Sequence, residues 1–451
     1  MIQCAFGFEI ELPHRIVYEA PSEELFLESP IPVEDCSFLE EGDVLARHDL
    51  MELQVDELLD GKSDLEFVSK PFDDSKMGFG ELQRCLIDLR KILVLIGKYT
   101  PQMRLNILEE NHLAKVIRKN TFLHYTSSTY QGLAPQITAG LRLSGFSAIM
   151  RDFGFGAEDE APALGARRLY GRNVVGLNAM GGFEGKTYLM GKAVYVVENA
   201  LNEYWRSTAS PPQPVPSNEL AGLLSLMIVY LYFASSIVMT YPKAFARILM
   251  RTDFSKLYEL IPSSEQEYFK KNDRKEWGKL FELMFSARYA LADQPFKAGH
   301  PDRCFRKFVN PVRNYSLEVP MFTNGIYNNR RDYPMYSTEM LKCLTRKEWI
   351  MAIPGGVDLL TERTFPDEKA RSHLESLGRF GNQTDRLESG EEAPVFELRK
   401  VNTSGNVDEL FQDLLSFFTY IYALNRGIDY KLGEPIEPIL PLIGVFKPSD
   451  S

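Results

Sequence analysis

Histidine and tryptophan are scarce in this 451-residue chain, six and three respectively, and cysteine is both sparse and odd in number. The five cysteines, Cys4, Cys36, Cys85, Cys304 and Cys343, are dispersed, with no CxxC pair and no zinc-finger spacing. A disulfide framework is therefore not expected, and the thiols read as buried and reduced. The scattered histidines offer no zinc signature and no Ser/His/Asp set. A basic excess is missing too: 62 Asp and Glu outweigh 51 Lys and Arg, for a formal net charge of −11. A duplex-binding protein needs a basic surface to neutralise phosphates, so nucleic acid is not expected as a partner. Net charge still leaves room for a local basic pocket. The glycine-rich GGFEG at 181–185 lacks the GxxxxGK[ST] of a phosphate loop. The opening MIQCAFGFEIEL carries neither a basic n-region nor a small-residue cleavage site. The expectation is a chain without a secretory signal that works in a reducing cytoplasm, its own cell's or a target cell's.

What is present is the composition of a globular protein, 44% hydrophobic and 25% charged. The one long uncharged run, AGLLSLMIVYLYFASSIVMTY at 221–241, is long enough to span a bilayer. Ser225, Tyr230, Tyr232, Ser235, Ser236 and Thr240 dilute it, and no aromatic and basic anchors flank it. A buried helix is expected there rather than a membrane span. Residues 1–150 read as strands around an amphipathic helix, with Leu82, Leu86, Leu89, Leu93 and Ile96 on one face and Pro101 as its stop. An acidic, turn-bearing insertion separates their first two strands. Residues 151–216 read as an irregular Gly/Pro-rich connection, with SPPQPVPSN the clearest linker. Residues 217–300 read as a helical insertion, and 301–451 as a second strand-bearing half with a closing helix. The fold class predicted is α+β, a curved, mainly antiparallel sheet built from both ends of the chain.

Chemistry concentrates in carboxylates on predicted strands. In Phe6-Gly7-Phe8-Glu9-Ile10-Glu11-Leu12, residues two apart point the same way, so Glu9 and Glu11 share one face. Two adjacent carboxylates repel unless a cation or basic group lies between them, and a hard divalent ion suits such oxygens. A strand with a solvated acidic face is the plainer alternative. Asp64-Leu65-Glu66-Phe67-Val68-Ser69-Lys70-Pro71 repeats the pattern with Glu66, and Pro394-Val395-Phe396-Glu397-Leu398-Arg399 repeats it with Glu397 and Arg399. That last pair is either a structural ion pair or, in a cleft, a metal ligand beside a phosphate clamp. Lys243, Arg247 and Arg251, four apart, would form one row on a helix, either solvated or reaching a phosphate. Arg330-Arg331 invites a weaker guess of the same kind.

FGFEIEL, then LEFVSKP some sixty residues later, then FELRKV before an amphipathic helix together resemble the amidoligases. These belong to the carboxylate–amine ligase group with glutamine synthetase and glutamate–cysteine ligase. The resemblance covers the two ends of the chain. It implies a glutamine synthetase-like sheet holding ATP and Mg²⁺, with Mn²⁺ as an alternative ion. Glu9, Glu11, Glu66 and Glu397 would be metal ligands. Arg399 would contact phosphate and, with Glu66, serve catalysis. The substrates implied are a carboxylate and an amine, on an amino acid, peptide or protein side chain, joined through an acyl phosphate. The chain departs from the family where a histidine-bearing strand is usual: PQITAGLRL offers Gln136 and Thr138 instead, as nucleotide contacts. The departure leaves open a phosphotransferase that stops after phosphoryl transfer, or a binding protein without turnover.

Overall fold

The computed structural model describes residues 5–57, 63–99, 101–125, 134–153, 183–235, 248–286, 289, 317–318, 345–359, 384–387, 390–398, 407–431 and 434–443. Alternation between apolar and polar residues places β1 at Ala5–Glu19, β3 at Met51–Glu57, β4 at Ser63–Ser69, β9 at Ala134–Gly140 and β12 at Glu392–Leu398. Shorter strands are β2 (Val44–Arg47), β5 (Phe72–Asp73), β6 (Gln102–Arg104), β7 (Lys115–Val116), β8 (Thr121–Tyr125), β10 (Ile248–Met250) and β11 (Thr384–Arg386). They form one sheet whose main path runs β10-β12-β9-β1-β4-β3-β2-β7, with β5, β6, β8 and β11 paired off it. The strand pairs are antiparallel. The molecule is thus α+β with a large antiparallel sheet, and strands from both ends of the chain lie side by side in it.

Strand β1 is long because it changes partner. Its first half pairs with β4 and β9, a register shift falls between Leu12 and Ile16, and Arg15–Glu19 then pairs with β8. Pro13, with no N–H to give a ladder, falls within that shift. One sheet face is apolar: Phe6, Phe8, Ile10, Leu65, Phe67, Ile137 and Phe396 are buried. Helix α1 (Lys76–Lys98) covers it, started by Ser75, whose hydroxyl accepts from the N–H groups of Met77 and Gly78. Leu82, Leu86, Leu89, Leu93 and Ile96 are buried along the predicted face. Helix α2 (Phe146–Phe153) sets Phe146 edge-on to Phe396 at 5.5 Å. Near the C-terminus, α9 (Val407–Arg426) sets Phe418 against Phe6 at 5.5 Å and Phe79 at 5.6 Å. Asn425 at its end accepts from the Arg142 N–H at 2.8 Å and donates to the Gly140 carbonyl at 3.0 Å. The two halves of the chain are therefore tied by both packing and hydrogen bonds.

The central segment departs from the sequence reading in three places. Helix α3 (Phe183–Ser207) runs through what was expected to be an irregular connection, 151–216. The Pro-rich stretch is pinned rather than free. Glu265 on α6 (Ser263–Lys270) is buried and accepts from the Ser217 N–H at 2.9 Å, the Ser217 hydroxyl at 2.5 Å and the Gln213 amide. Trp205 holds the Gln213 carbonyl at 3.0 Å. Third, Ile248–Met250 is strand β10, so Arg251 does not continue a helix; Lys243 and Arg247, expected in one row with it, lie outside the described residues. The acidic insertion near the N-terminus likewise carries β2 and β3.

Helix α4 (Asn218–Ser235) occupies the uncharged run and is buried on all sides from Leu223 to Leu231. Among the described residues no helix is long and apolar enough to cross a membrane. Helices α5 (Phe254–Tyr258), α7 (Lys275–Met284) and α8 (Arg346–Ala352) complete this region, where Trp349 meets Tyr230 at 5.7 Å and Phe254 at 5.1 Å. Helix α4 comes close to the backbone before α2 at Gly222: a Cβ there would collide with the Leu143 carbonyl oxygen. Gly222→Ala should destabilise the protein by about 1–3 kcal/mol, because backbone rather than a side-chain tip must yield. Thermal unfolding of the variant checks this, and an unchanged melting temperature would contradict the packing of α4 on residues 141–145.

Candidate active site

The second face of the sheet is polar, and the strand register says which residues share it. Glu11 lies directly opposite Glu66, and Glu66 opposite Gln54. Glu9 lies opposite Gln136, and Thr138 opposite Glu397. Residues directly across a ladder project to the same side. Glu9, Glu11, Glu66, Gln136, Thr138 and Glu397, all named from sequence, therefore occupy one face although they come from four strands. The remaining named residue, Arg399, lies outside the described residues, as do Arg330 and Arg331.

At the centre is a row of amide, carboxylate, carboxylate and amide. Gln54 donates to the Glu66 carboxylate at 3.1 Å, and Gln136 donates to the Glu11 carboxylate at 2.8 Å. Glu66 is buried, and that burial pushes its carboxyl up to about 7 against the pull of the Gln54 hydrogen bond. The negative charges of Glu9, Asp56 and Glu11 push in the same direction. Asp56 and Asp64, opposite one another on β3 and β4, extend the acidic strip. The face is thus a place where negative charge is concentrated and, at Glu66, incompletely solvated.

Glu397 sits differently. It is 2% exposed and ion-paired with Arg251, which follows β10 directly. The β10–β12 ladder brings the two together by setting Leu249 opposite Glu397. Arg251 is the basic residue of this face that the sequence misassigned. Read as a helix, ARILMR hid the apolar triplet Ile248-Leu249-Met250 that makes a short buried strand. Gln54 and Asp56 were also missed, although MELQVDE alternates cleanly, with Met51, Leu53 and Val55 buried. Glu397→Gln would remove the carboxylate that balances the Arg251 guanidinium.

The donor chemistry suits a hard divalent cation, since every charged group in the Glu9, Glu11 and Glu66 set is a carboxylate oxygen donor. Such an ion would offset the burial, and the neighbouring negative charges, that hold the Glu66 proton. As the side chains stand, no group of three or more His, Cys, Asp or Glu among the described residues is close enough to hold a metal ion. Along the same face from the Glu9 side lies a cavity of about 450 Å³, reaching Gly7, Glu9, Thr138, Val395 and Asp385.

The raised Glu66 carboxyl has a consequence for stability. The folded state holds this proton more tightly than the unfolded chain, so the stabilisation is complete below about pH 4.5 and is lost as pH rises through about 7. Glu66→Gln should remove this component and gain at most ~3 kcal/mol at pH 8, where the native carboxylate is charged. Urea unfolding of both proteins at pH 5 and pH 8 measures it; equal pH dependence in the two would contradict the assignment. No protein-family model, curated protein or solved structure matches the chain.

Proposed function

We propose that the polar sheet face is the nucleotide and metal site of an ATP-dependent carboxylate–amine ligase of the glutamine synthetase-like, amidoligase kind. One observation carries the reading. Glutamates from the first strand, the fourth and the last lie on a single face of one antiparallel sheet, with Gln136 and Thr138 on the strand between them. A surface acidic strand has no reason to meet its counterpart nearly four hundred residues away, whereas a site assembled from both ends requires it.

In this reading Glu9, Glu11 and Glu66 would hold Mg²⁺, which would supply charge neutralisation for phosphoryl transfer. Gln136 and Gln54 fix the rotamers of Glu11 and Glu66 by the hydrogen bonds described above. Thr138 offers a hydroxyl beside Glu397, and Arg251 places a guanidinium edge at the same end of the face. A substrate carboxylate oxygen attacks the γ-phosphorus of ATP and ADP leaves, giving an acyl phosphate. The lone pair of an amine then attacks the acyl carbon, the bond to the phosphate oxygen breaks, and phosphate leaves. The amine's protons pass to solvent base.

A second reading has its own support. Arg251 already balances the charge of Glu397, which suits a binding protein on the same sheet in which Glu397 is structural. The two readings differ in turnover. Millimolar Mg²⁺–ATP should raise the melting temperature of the wild-type protein, and Glu9→Gln should lose that shift while keeping the fold. Release of ADP with an amide product marks the ligase, and a shift without ADP marks the binder. An unmoved melting temperature would falsify nucleotide binding and both readings with it.

A further inference from the structure

The cavity on the polar face has its floor at Gly7. Residues directly across a ladder share a side, so Gly7 on β1 and the Thr138 side chain on β9 face into it together. Ser69 reaches the same point from the end of β4. A Cβ built on Gly7 would lie 3.5 Å from the Ser69 hydroxyl oxygen and 4.0 Å from the Thr138 carbonyl oxygen, both ordinary contact distances. The missing side chain therefore leaves room between two hydroxyl-bearing residues. The Ser69 hydroxyl accepts the Phe8 N–H at 2.8 Å, which leaves its own proton to be donated. Thr138, half-buried, brings a second hydroxyl that can donate or accept. Apolar walls stand on either side: Val68, opposite Glu9 on β4, and Val395 on β12, next to β9. Among the described residues that line the cavity there is no lysine, arginine or histidine to hold a phosphate or a carboxylate. At about 450 Å³ the space suits an organic molecule rather than a bare ion.

We infer that this cavity receives the base and sugar of a nucleotide, the base lying over Gly7 between Val68 and Val395 with its edge against the hydroxyls of Ser69 and Thr138. A nucleobase is flat and uncharged, so it can lie on a floor without a Cβ and between aliphatic walls with no counter-ion. Its edge carries both acceptors and N–H donors, which hydroxyl groups can meet in either sense. An alkyl group would leave both hydroxyls unmet, and an anion would find no cation. The position also suits the rest of the nucleotide. At the rise of a strand, Gly7 stands about 7 Å from Glu9 and about 13 Å from Glu11 along β1. Phosphates attached to a base over Gly7 would thus run along the strand toward the Glu9, Glu11 and Glu66 set. That the nucleotide is the phosphoryl donor of a ligase rests on the proposed function, whereas recognition of the base rests on the cavity alone.

The test uses the full chain with adenosine, a base and sugar without phosphates, and Mg²⁺–tripolyphosphate, the phosphates without a base. Ribose is the control, and binding is followed by calorimetry and melting temperature. Adenosine should bind and ribose should not. Gly7→Val puts methyl groups where the base lies, in a residue that suits a strand. It should weaken adenosine binding by about tenfold or more, with an unchanged circular dichroism spectrum and an unchanged response to Mg²⁺–tripolyphosphate. Thr138→Val keeps the shape of the side chain and removes its hydroxyl. It should weaken adenosine binding by about fivefold, the loss of one neutral hydrogen bond. Ribose binding as tightly as adenosine, or undiminished adenosine affinity in either folded variant, overturns the inference. A Mg²⁺–tripolyphosphate shift without adenosine binding overturns it too, and leaves the proposed metal and phosphate site standing. Adenosine binding without a Mg²⁺–tripolyphosphate shift does the reverse.

Discussion

Strand β1 hydrogen-bonds to β4, β5, β8 and β9, and through β9 it reaches β12 near the other end of the chain. Its two-residue alternation makes this possible. Phe6, Phe8, Ile10 and Leu12 enter the core, so Gly7, Glu9 and Glu11 must face the other way. A slip of one residue in any of these ladders would bury carboxylates under α1 and α9 and expose phenylalanines. Core packing thus fixes the register, and the register fixes which polar groups meet. The site is a by-product of the packing on the opposite side of the sheet.

The polar face divides into two kinds of charge. Near β10, Glu397 and Arg251 balance each other at a nearly closed position, where the middle and last thirds of the chain join. Near β3 and β4, Glu66 is buried among Glu9, Glu11 and Asp56 and holds its proton to near neutrality. A protein gains nothing in stability by gathering carboxylates in this way. Gln54 and Gln136 orient Glu66 and Glu11 by the hydrogen bonds they donate, and in the proposed reading a cation would balance this charge.

Strand alternation was legible in the sequence because it needs only neighbours. Glu9, Glu11, Glu66 and Glu397 could be put on strand faces from their flanking apolar residues, and α1 could be traced from its leucine spacing. Partnership was not legible. Gln54 belongs to a strand inside a stretch that reads as an acidic insertion, and Arg251 follows three apolar residues that a helical context disguises. Composition also misled where tertiary contacts decide: SPPQPVPSN reads as a linker, yet the buried Glu265 carboxylate, brought from some fifty residues away, fixes its end. Asp385 carried no motif at all, and only the hairpin with β12 gives it a face.

The central claim is that Glu9, Glu11 and Glu66 act together on one divalent ion with its nucleotide. Electron paramagnetic resonance of Mn²⁺ titrated into the protein with ATP tests this directly, since the sharp signal of free Mn²⁺ is lost on binding. The account predicts capture by the wild-type chain beyond what ATP alone achieves, and restoration of the ATP-alone signal in Glu9→Gln, Glu11→Gln and Glu66→Gln alike. Capture that survives all three substitutions, or that never occurs in the wild type, would contradict it.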